Sequence, residues 1–332
     1  MMFRDLSDAV EWAGRAAVPG TEANSRVRAG LRSILDVRGK VRVVNPASPG
    51  ITPDPTRVLL CEVQAHDGMQ RLCVKLYPPC AEGIGAIEKH SGLLTRLKGI
   101  VPVPEVVAVL SETEPFGFPA LVTTARGQPL DGELRGLSPA ERNAIVAEVG
   151  RAVARLHDCD PGDLSVNTTY EPGSVLATWQ EDRVWYEENA ERAGESAGLV
   201  RRAASVLAGY REVPQYACVI HRDLHPYNIL GENGAFVAIV DWDHAALAPP
   251  QEDVATALIG FLAMLSLPRS VRLALARTFL EAYGQARSLA VEELRSQSAP
   301  FALDTVLDWV VGGKNAPREE LPWATEQIME WS

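Results

Sequence analysis

Asp223, Asn228 and Asp241 are polar residues at a spacing that could do chemistry. The first two lie in Val219-Ile-His-Arg-Asp-Leu-His-Pro-Tyr-Asn-Ile-Leu230, and the third in Ala238-Ile-Val-Asp-Trp-Asp-His244. An acid, an amide and a second acid in this order suit phosphoryl transfer. One carboxylate takes or orients an acceptor hydroxyl. An amide oxygen and another carboxylate hold Mg²⁺ on nucleotide phosphates. His221 stands two residues before the first acid, and Asp243 two residues after the last.

These side chains need elements to position them. Apolar runs on either side of Glu232-Asn-Gly234 predict a hairpin, because Asn-Gly is a strong two-residue turn signal. The hairpin returns the chain, so Asp241 arrives beside Asn228. Farther upstream, Lys40–Val44, Arg57–Val63 and Arg71–Tyr77 read as an antiparallel three-strand meander, with Asp67-Gly68 at its second turn. Between the first two strands, the proline-rich stretch from Asn45 to Pro55 stands where a nucleotide-covering loop would lie. It does not match G-x-G-x-x-G. Lys75 sits mid-strand, and period-two alternation puts it with Cys73 and Tyr77, opposite Leu72, Val74 and Leu76. A helix over Ile84–Leu97 follows and carries Glu88. A lysine on a third strand and a glutamate on the next helix, Glu88 with Glu82 as its rival, form the ion pair that aims the lysine at the α- and β-phosphates.

The stretches Val101–Leu110 and Phe118–Thr124 lead into a fourth and a fifth strand. Ala125–Pro129 is a connector at a lobe boundary. From about residue 130 the pattern is helical. Ser138-Pro-Ala-Glu141 is a capping pattern, and the helix it starts runs to Leu156-His157, where His157 reads as structural. Helices are expected over Val175–Ala193, Leu199–Tyr210, 251–265, 270–288, 300–311 and 322–331. Residues 1–40 read as one or two helices, with Val10 and Trp12 on an apolar side.

A chain of 332 residues with 46% hydrophobic and 23% charged residues suits two lobes of one soluble enzyme. The N-terminus has acids where a signal peptide would have an apolar core, and no run reaches the roughly 18 apolar residues of a membrane span. The cytoplasm is the expected compartment. Five cysteines without a C-x-x-C pair are expected as buried, reduced thiols. A net charge of −11 disfavours nucleic acid and anionic membrane as partners. The charge falls almost wholly after residue 126. An acidic second half would attract a cationic acceptor, or simply serve solubility. Nothing calls for an obligate protein partner.

His221-Arg222-Asp223, four residues and Asn228 match the H-R-D-x-x-x-x-N loop of kinases. Together with Val74-Lys75, the Glu88 helix, Val101-Pro-Val-Pro104, Ile239-Val-Asp-Trp-Asp243 and Pro249–Asp253, the chain resembles the aminoglycoside phosphotransferase family. That resemblance implies an α+β, two-lobed protein-kinase-like fold. Residues 1–125 would be a nucleotide-binding lobe with a five-stranded antiparallel sheet and a helix. The hinge would lie near 122–128. Residues 126–332 would be a mainly helical lobe with the catalytic loop and acceptor site. By resemblance, Asp223 is the catalytic base or hydroxyl-orienting acid. Asn228 and Asp241 are Mg²⁺ ligands, and Lys75, held by Glu88, contacts the phosphates of ATP or GTP. His221 and Asp253 brace the loop, and Asp243 helps with metal or local structure. Arg222 departs from the family, which usually has glycine there.

After Asp241 comes Trp-Asp rather than Phe-Gly, no Ala-Pro-Glu follows, and about ten residues lead to the next helix. That is too short for a peptide-docking activation loop. The expected activity is therefore ATP- or GTP- and Mg²⁺-dependent transfer to a hydroxyl of a small molecule. The first candidate is an aminoglycoside-like or other antibiotic. A metabolic kinase for choline-like, sugar or amino-alcohol acceptors is the alternative on the same fold, and an inactive nucleotide-binding protein the alternative from another class.

Overall fold

The structure, a computed structural model, describes residues 21–35, 40–44, 58–65, 68–111, 116–162, 172–212, 214, 216–312 and 319–331. The helix expected around Val10 and Trp12 and the loop from Asn45 to Pro55 lie outside them. The described residues fall into two compact units. The first runs to Lys98 and resumes over Val103–Arg126; the second takes Gly99–Pro102 and the chain from Gly127 onward.

In the first unit, α1 (Glu22–Leu35) precedes β1 (Val41–Val44), β2 (Val58–Ala65) and β3 (Gly68–Leu76). Then come α2 (Ala81–Leu97), β4 (Val106–Leu110) and β5 (Ala120–Thr124). The strands form one antiparallel sheet in the order β1-β2-β3-β5-β4. This is the expected five-stranded sheet. The alternation read from the sequence sets its faces. Leu72, Val74 and Leu76 bury against Leu59, Cys61, Val63, Phe118 and Val122, and α1 adds Val27 and Leu31 to that cluster. Burying each such side chain is worth about 1.5–3 kcal/mol. Lys75 is half-buried and out of that cluster, opposite Val58 of β2 and Leu121 of β5. Ile87, Leu94 and Leu97 are the buried residues of α2 at helical spacing.

The second unit opens with β6 (Gln128–Pro129), α3 (Leu130–Arg135) and α4 (Pro139–His157). The capping box of α4 is formed: the Ser138 hydroxyl accepts the Glu141 N–H, and the Glu141 carboxylate accepts the Ser138 N–H. Next are α5 (Pro172–Asn189), a 3₁₀ segment (Ala190–Ser196) and α6 (Ala197–Leu207). Short strands follow: β7 (Cys218–Ile220), β8 (Ile229–Glu232), β9 (Ala235–Ile239) and β10 (Ala246–Ala248). The β7 and β10 strands pair with each other, while β6, β8 and β9 form a second small sheet. Then come α7 (Pro250–Ile259), a π-helical turn (Gly260–Met264), α8 (Arg269–Arg287), α9 (Val291–Gly312) and α10 (Leu321–Met329).

Two differences from the sequence reading have physical causes. The helix expected at 300–311 starts at Val291 and runs through Pro300. Proline at a first helical position is a common start signal. Here, though, Leu294, Ser298, Ala299, Phe301 and Leu303 are buried on both sides of it, and packing holds the helix across the missing donor. The helix expected over 251–265 changes to π-winding at Gly260. All five cysteines are free thiols, but only Cys61 and Cys218 are buried, and Cys80 is exposed. Burial pushes the Cys61 thiol up to about 12. Among the described residues no helix is long and apolar enough to cross a membrane.

Candidate active site

The turn between β7 and β8 carries His221, Asp223 and Asn228. Its backbone is held from below by Asp253, fully buried in the first turn of α7. The Asp253 carboxylate accepts the N–H groups of His221 (2.7 Å) and Arg222 (2.6 Å). One of its oxygens lies 3.2 Å from His157 Nε2, and His157 Nδ1 is 2.8 Å from the Tyr283 hydroxyl. A carboxylate that accepts two backbone donors fixes the sharp bend between them. Arg222 takes up that bend in the left-handed region, at φ 69°.

His221 is fully buried. Its Nδ1 accepts the Asp223 N–H (3.2 Å), so the proton sits on Nε2 and is donated to the Val240 carbonyl at 2.8 Å. Burial lowers its pKa and keeps the ring neutral, as this tautomer requires. His221 therefore ties the turn between β7 and β8 to the end of β9. Its ring meets buried Trp242 edge to face, and Trp242 Nε1 donates to the Ile239 carbonyl.

The Asn228 amide donates through Nδ2 to the Asp223 carbonyl (2.9 Å) and to Asp223 Oδ2 (2.8 Å). Both partners are acceptors, which settles the amide orientation and leaves Oδ1 as its acceptor. Asp223 Oδ1 lies 3.4 Å from His225 Nε2. Burial alone would raise the Asp223 acid. The adjacent His225 outweighs it, by hydrogen bond and then by charge, and the pKa falls to about 2. Asp223 is thus an ionised, doubly held acceptor of hydrogen bonds and a weak base.

The hairpin forms as expected. Ile229 pairs with Ile239 and Leu230 with Ala238, and the Val240 N–H donates to the Asn228 carbonyl at 2.9 Å. Asp241 follows at once, exposed and itself left-handed at φ 64°, as the cap of the turn Trp242–His244 that holds Asp243. An amide oxygen and a carboxylate are hard oxygen donors and fit Mg²⁺, which keeps waters and takes substrate phosphates for its other positions. Among the described residues, no group of three or more His, Cys, Asp or Glu could hold a metal ion.

The profile of the phosphotransferase enzyme family known as APH matches residues 61–295, more than half the chain. The chain belongs to this family. No curated protein matches it in sequence. Several solved structures share the fold. The macrolide 2′-phosphotransferase MphH of Brachybacterium faecium, without ligand, is 18% identical, with 89% of this chain and 98% of that one covered at a TM-score of 0.56. A type I macrolide 2′-phosphotransferase is 17% identical, with 93% and 97% covered at 0.59. A thermostable mutant of the aminoglycoside phosphotransferase APH(4)-Ia, in a ternary complex with ADP and hygromycin B, is 16% identical, with 92% and 97% covered at 0.57. The α+β, kinase-like fold expected from the sequence is the fold these structures share with this phosphotransferase.

Within this APH-family chain, the first unit places Lys75 half-buried on β3 and Glu88 exposed on α2. No ion pair joins the two among the described residues. Instead, Glu88 lines an open groove between α2 and β4 with Ser91, Thr95, Arg96, Val106 and Val109. The Tyr77 hydroxyl, 2.8 Å from His90 Nδ1, links the end of β3 to α2. Sequence reasoning missed two partners in the second unit. His225 stands in the catalytic stretch two residues after Asp223, and that spacing was the available signal. Glu252 lies 3.5 Å from the Arg222 guanidinium. It gave no local signal, because the pair spans 30 positions.

Proposed function

We propose that this phosphotransferase moves the γ-phosphate of ATP or GTP to a hydroxyl of a small molecule, with an aminoglycoside-like or other antibiotic as the acceptor. The observation that carries the reading is the Asn228 amide. Its nitrogen clamps Asp223 while its oxygen is left for a cation, and the hairpin brings Asp241 alongside. On this reading Asp223 receives the acceptor hydroxyl and orients its oxygen toward phosphorus. With a pKa near 2, it acts first by placement and takes the proton as the new P–O bond forms. Asn228 and Asp241 hold Mg²⁺, which would offset charge on the β- and γ-phosphate oxygens. Lys75 of the first unit contacts the nucleotide phosphates, and Glu88 is its proposed partner in the nucleotide-bound form. His221 and Asp253 keep the loop in shape, and Asp243 helps with metal or local structure.

Two further observations support the acceptor class. Neighbours on the same fold act on macrolides or were solved with ADP and hygromycin B. In the second unit, Asp182, Asp304 and Asp308 gather around Tyr186, whose hydroxyl donates to Asp304 at 2.9 Å. Burial, and then the nearby charges of Asp308 and Glu181, raise the Asp182 acid. Such a patch suits an acceptor bearing amines. The test is ADP release from Mg·ATP and Mg·GTP with a panel of aminoglycosides, macrolides, amino alcohols and sugars. Turnover confined to the amino alcohols or sugars would replace the antibiotic reading with a metabolic one. Nucleotide binding without transfer to any acceptor would favour the inactive nucleotide-binding reading.

A further inference from the structure

The winding of the chain changes at Gly260, where α7 gives way to the π-turn. Gly260 is also where the chain passes closest to the segment that follows Asp223. A Cβ built there would stand 2.5 Å from Pro226 Cδ, 3.1 Å from His225 Cβ and 3.2 Å from His225 Cα. The proline carbon is fixed to the backbone and the last atom is backbone, so no rotamer change relieves the contact. The catalytic loop itself would have to move. The other end of the same turn holds the loop as well: the Tyr227 hydroxyl donates to the Met264 carbonyl at 3.3 Å.

The segment seated there is the one that sets Asp223. His225 Nδ1 accepts the Tyr227 N–H at 3.3 Å, so its ring proton sits on Nε2, facing Asp223 Oδ1. The His225 carbonyl accepts the Asn228 N–H at 2.9 Å. We infer that Gly260 and the π-turn it opens are the seat of the catalytic loop. Gly260 is a positioning residue for phosphoryl transfer, acting through His225 on the Asp223 carboxylate. This rests on the proposed function; the seat itself is a geometric statement that holds apart from it. π-Turns inside helices recur at functional sites, and a shift well under the size of an atom at a reacting group is costly in rate.

The experiment uses the full chain, with Mg·ATP and water as the acceptor. Gly260→Ala should lower kcat for ADP release by about tenfold to a hundredfold, with KM for ATP changed by less than about twofold. Gly150→Ala is the control. Its Cβ would stand 2.7 Å from the Phe279 carbonyl oxygen where α4 meets α8, so it should lower Tm and leave kcat unchanged. The ¹⁵N shifts of the His225 ring should move in Gly260→Ala and not in Gly150→Ala. Adding Pro226→Ala to Gly260→Ala removes the nearest clash and should restore part of kcat. Tyr227→Phe, which leaves packing intact, should lower kcat several-fold. A folded Gly260→Ala with wild-type His225 shifts and wild-type kcat overturns the inference. If Gly260→Ala does not fold, an unaltered His225 spectrum in Tyr227→Phe does so. A wild-type chain that releases no ADP with water or with any acceptor of the panel sinks the phosphotransferase reading instead, and the His225 spectra still decide the seat.

Discussion

Arg222 departs from the glycine that the resemblance implies, and its backbone sits where a glycine would be at ease. At φ 69° it occupies the left-handed region, which costs an L-residue about 1–2 kcal/mol. The side chain offsets part of this by reaching Glu252. Burial pushes the Glu252 acid up to about 7, against the pull of Arg222. That value lies above the unfolded one, about 4.3. Folding therefore favours the protonated acid: its contribution is whole below about pH 4 and is lost as pH rises through 7. Glu252→Gln should accordingly match the wild type at pH 4 and exceed it at pH 8 by on the order of 2–3 kcal/mol in urea unfolding. Arg222→Gly should gain about 1 kcal/mol at pH 5. At pH 8 the gain should shrink, because the Glu252 carboxylate then lacks its cation. Equal stability of Glu252→Gln and wild type at pH 8 would count against this account of the pair.

The β8–β9 hairpin was legible from Glu232-Asn-Gly234 because its instruction is local. Asn233 and Gly234 adopt φ 53° and 78°, the conformation such a turn demands. A Cβ at Gly234 would meet Leu137 Cδ2 at an ordinary 3.6 Å, so Gly234→Ala isolates the backbone cost. It should destabilise by about 1–2 kcal/mol in thermal unfolding. The capping box of α4 and the alternation of β3 were legible for the same reason. The close seat at Gly260 was not, since it depends on the approach of His225 and Pro226 from over 30 positions away. Nor was the run of α9 through Pro300, where tertiary packing carries the helix past a residue that reads locally as a start. At the candidate site, types and spacing singled out Asp223, Asn228 and Asp241 as the residues to propose. What they could not announce is how Asp223 is held, because a hydrogen-bond geometry has no spelling. Glu88 stands exposed on α2, and its pairing with Lys75 belongs to the proposal.

At the scale of the molecule, the described residues form two compact units. The first supplies a sheet with a half-buried lysine; the second supplies the loop, the hairpin and the acidic side chains. The family match spans residues 61–295 and so draws on both. The central claim is that Asp223 orients an acceptor hydroxyl for attack on a nucleotide phosphate. Its most direct measurement is the turnover of Asp223→Ala beside wild type, with the best acceptor from the panel and with nucleotide binding measured in parallel. The account predicts nucleotide affinity within about twofold and a loss of kcat of about 10²–10⁴-fold. Full turnover by Asp223→Ala with that acceptor would contradict it.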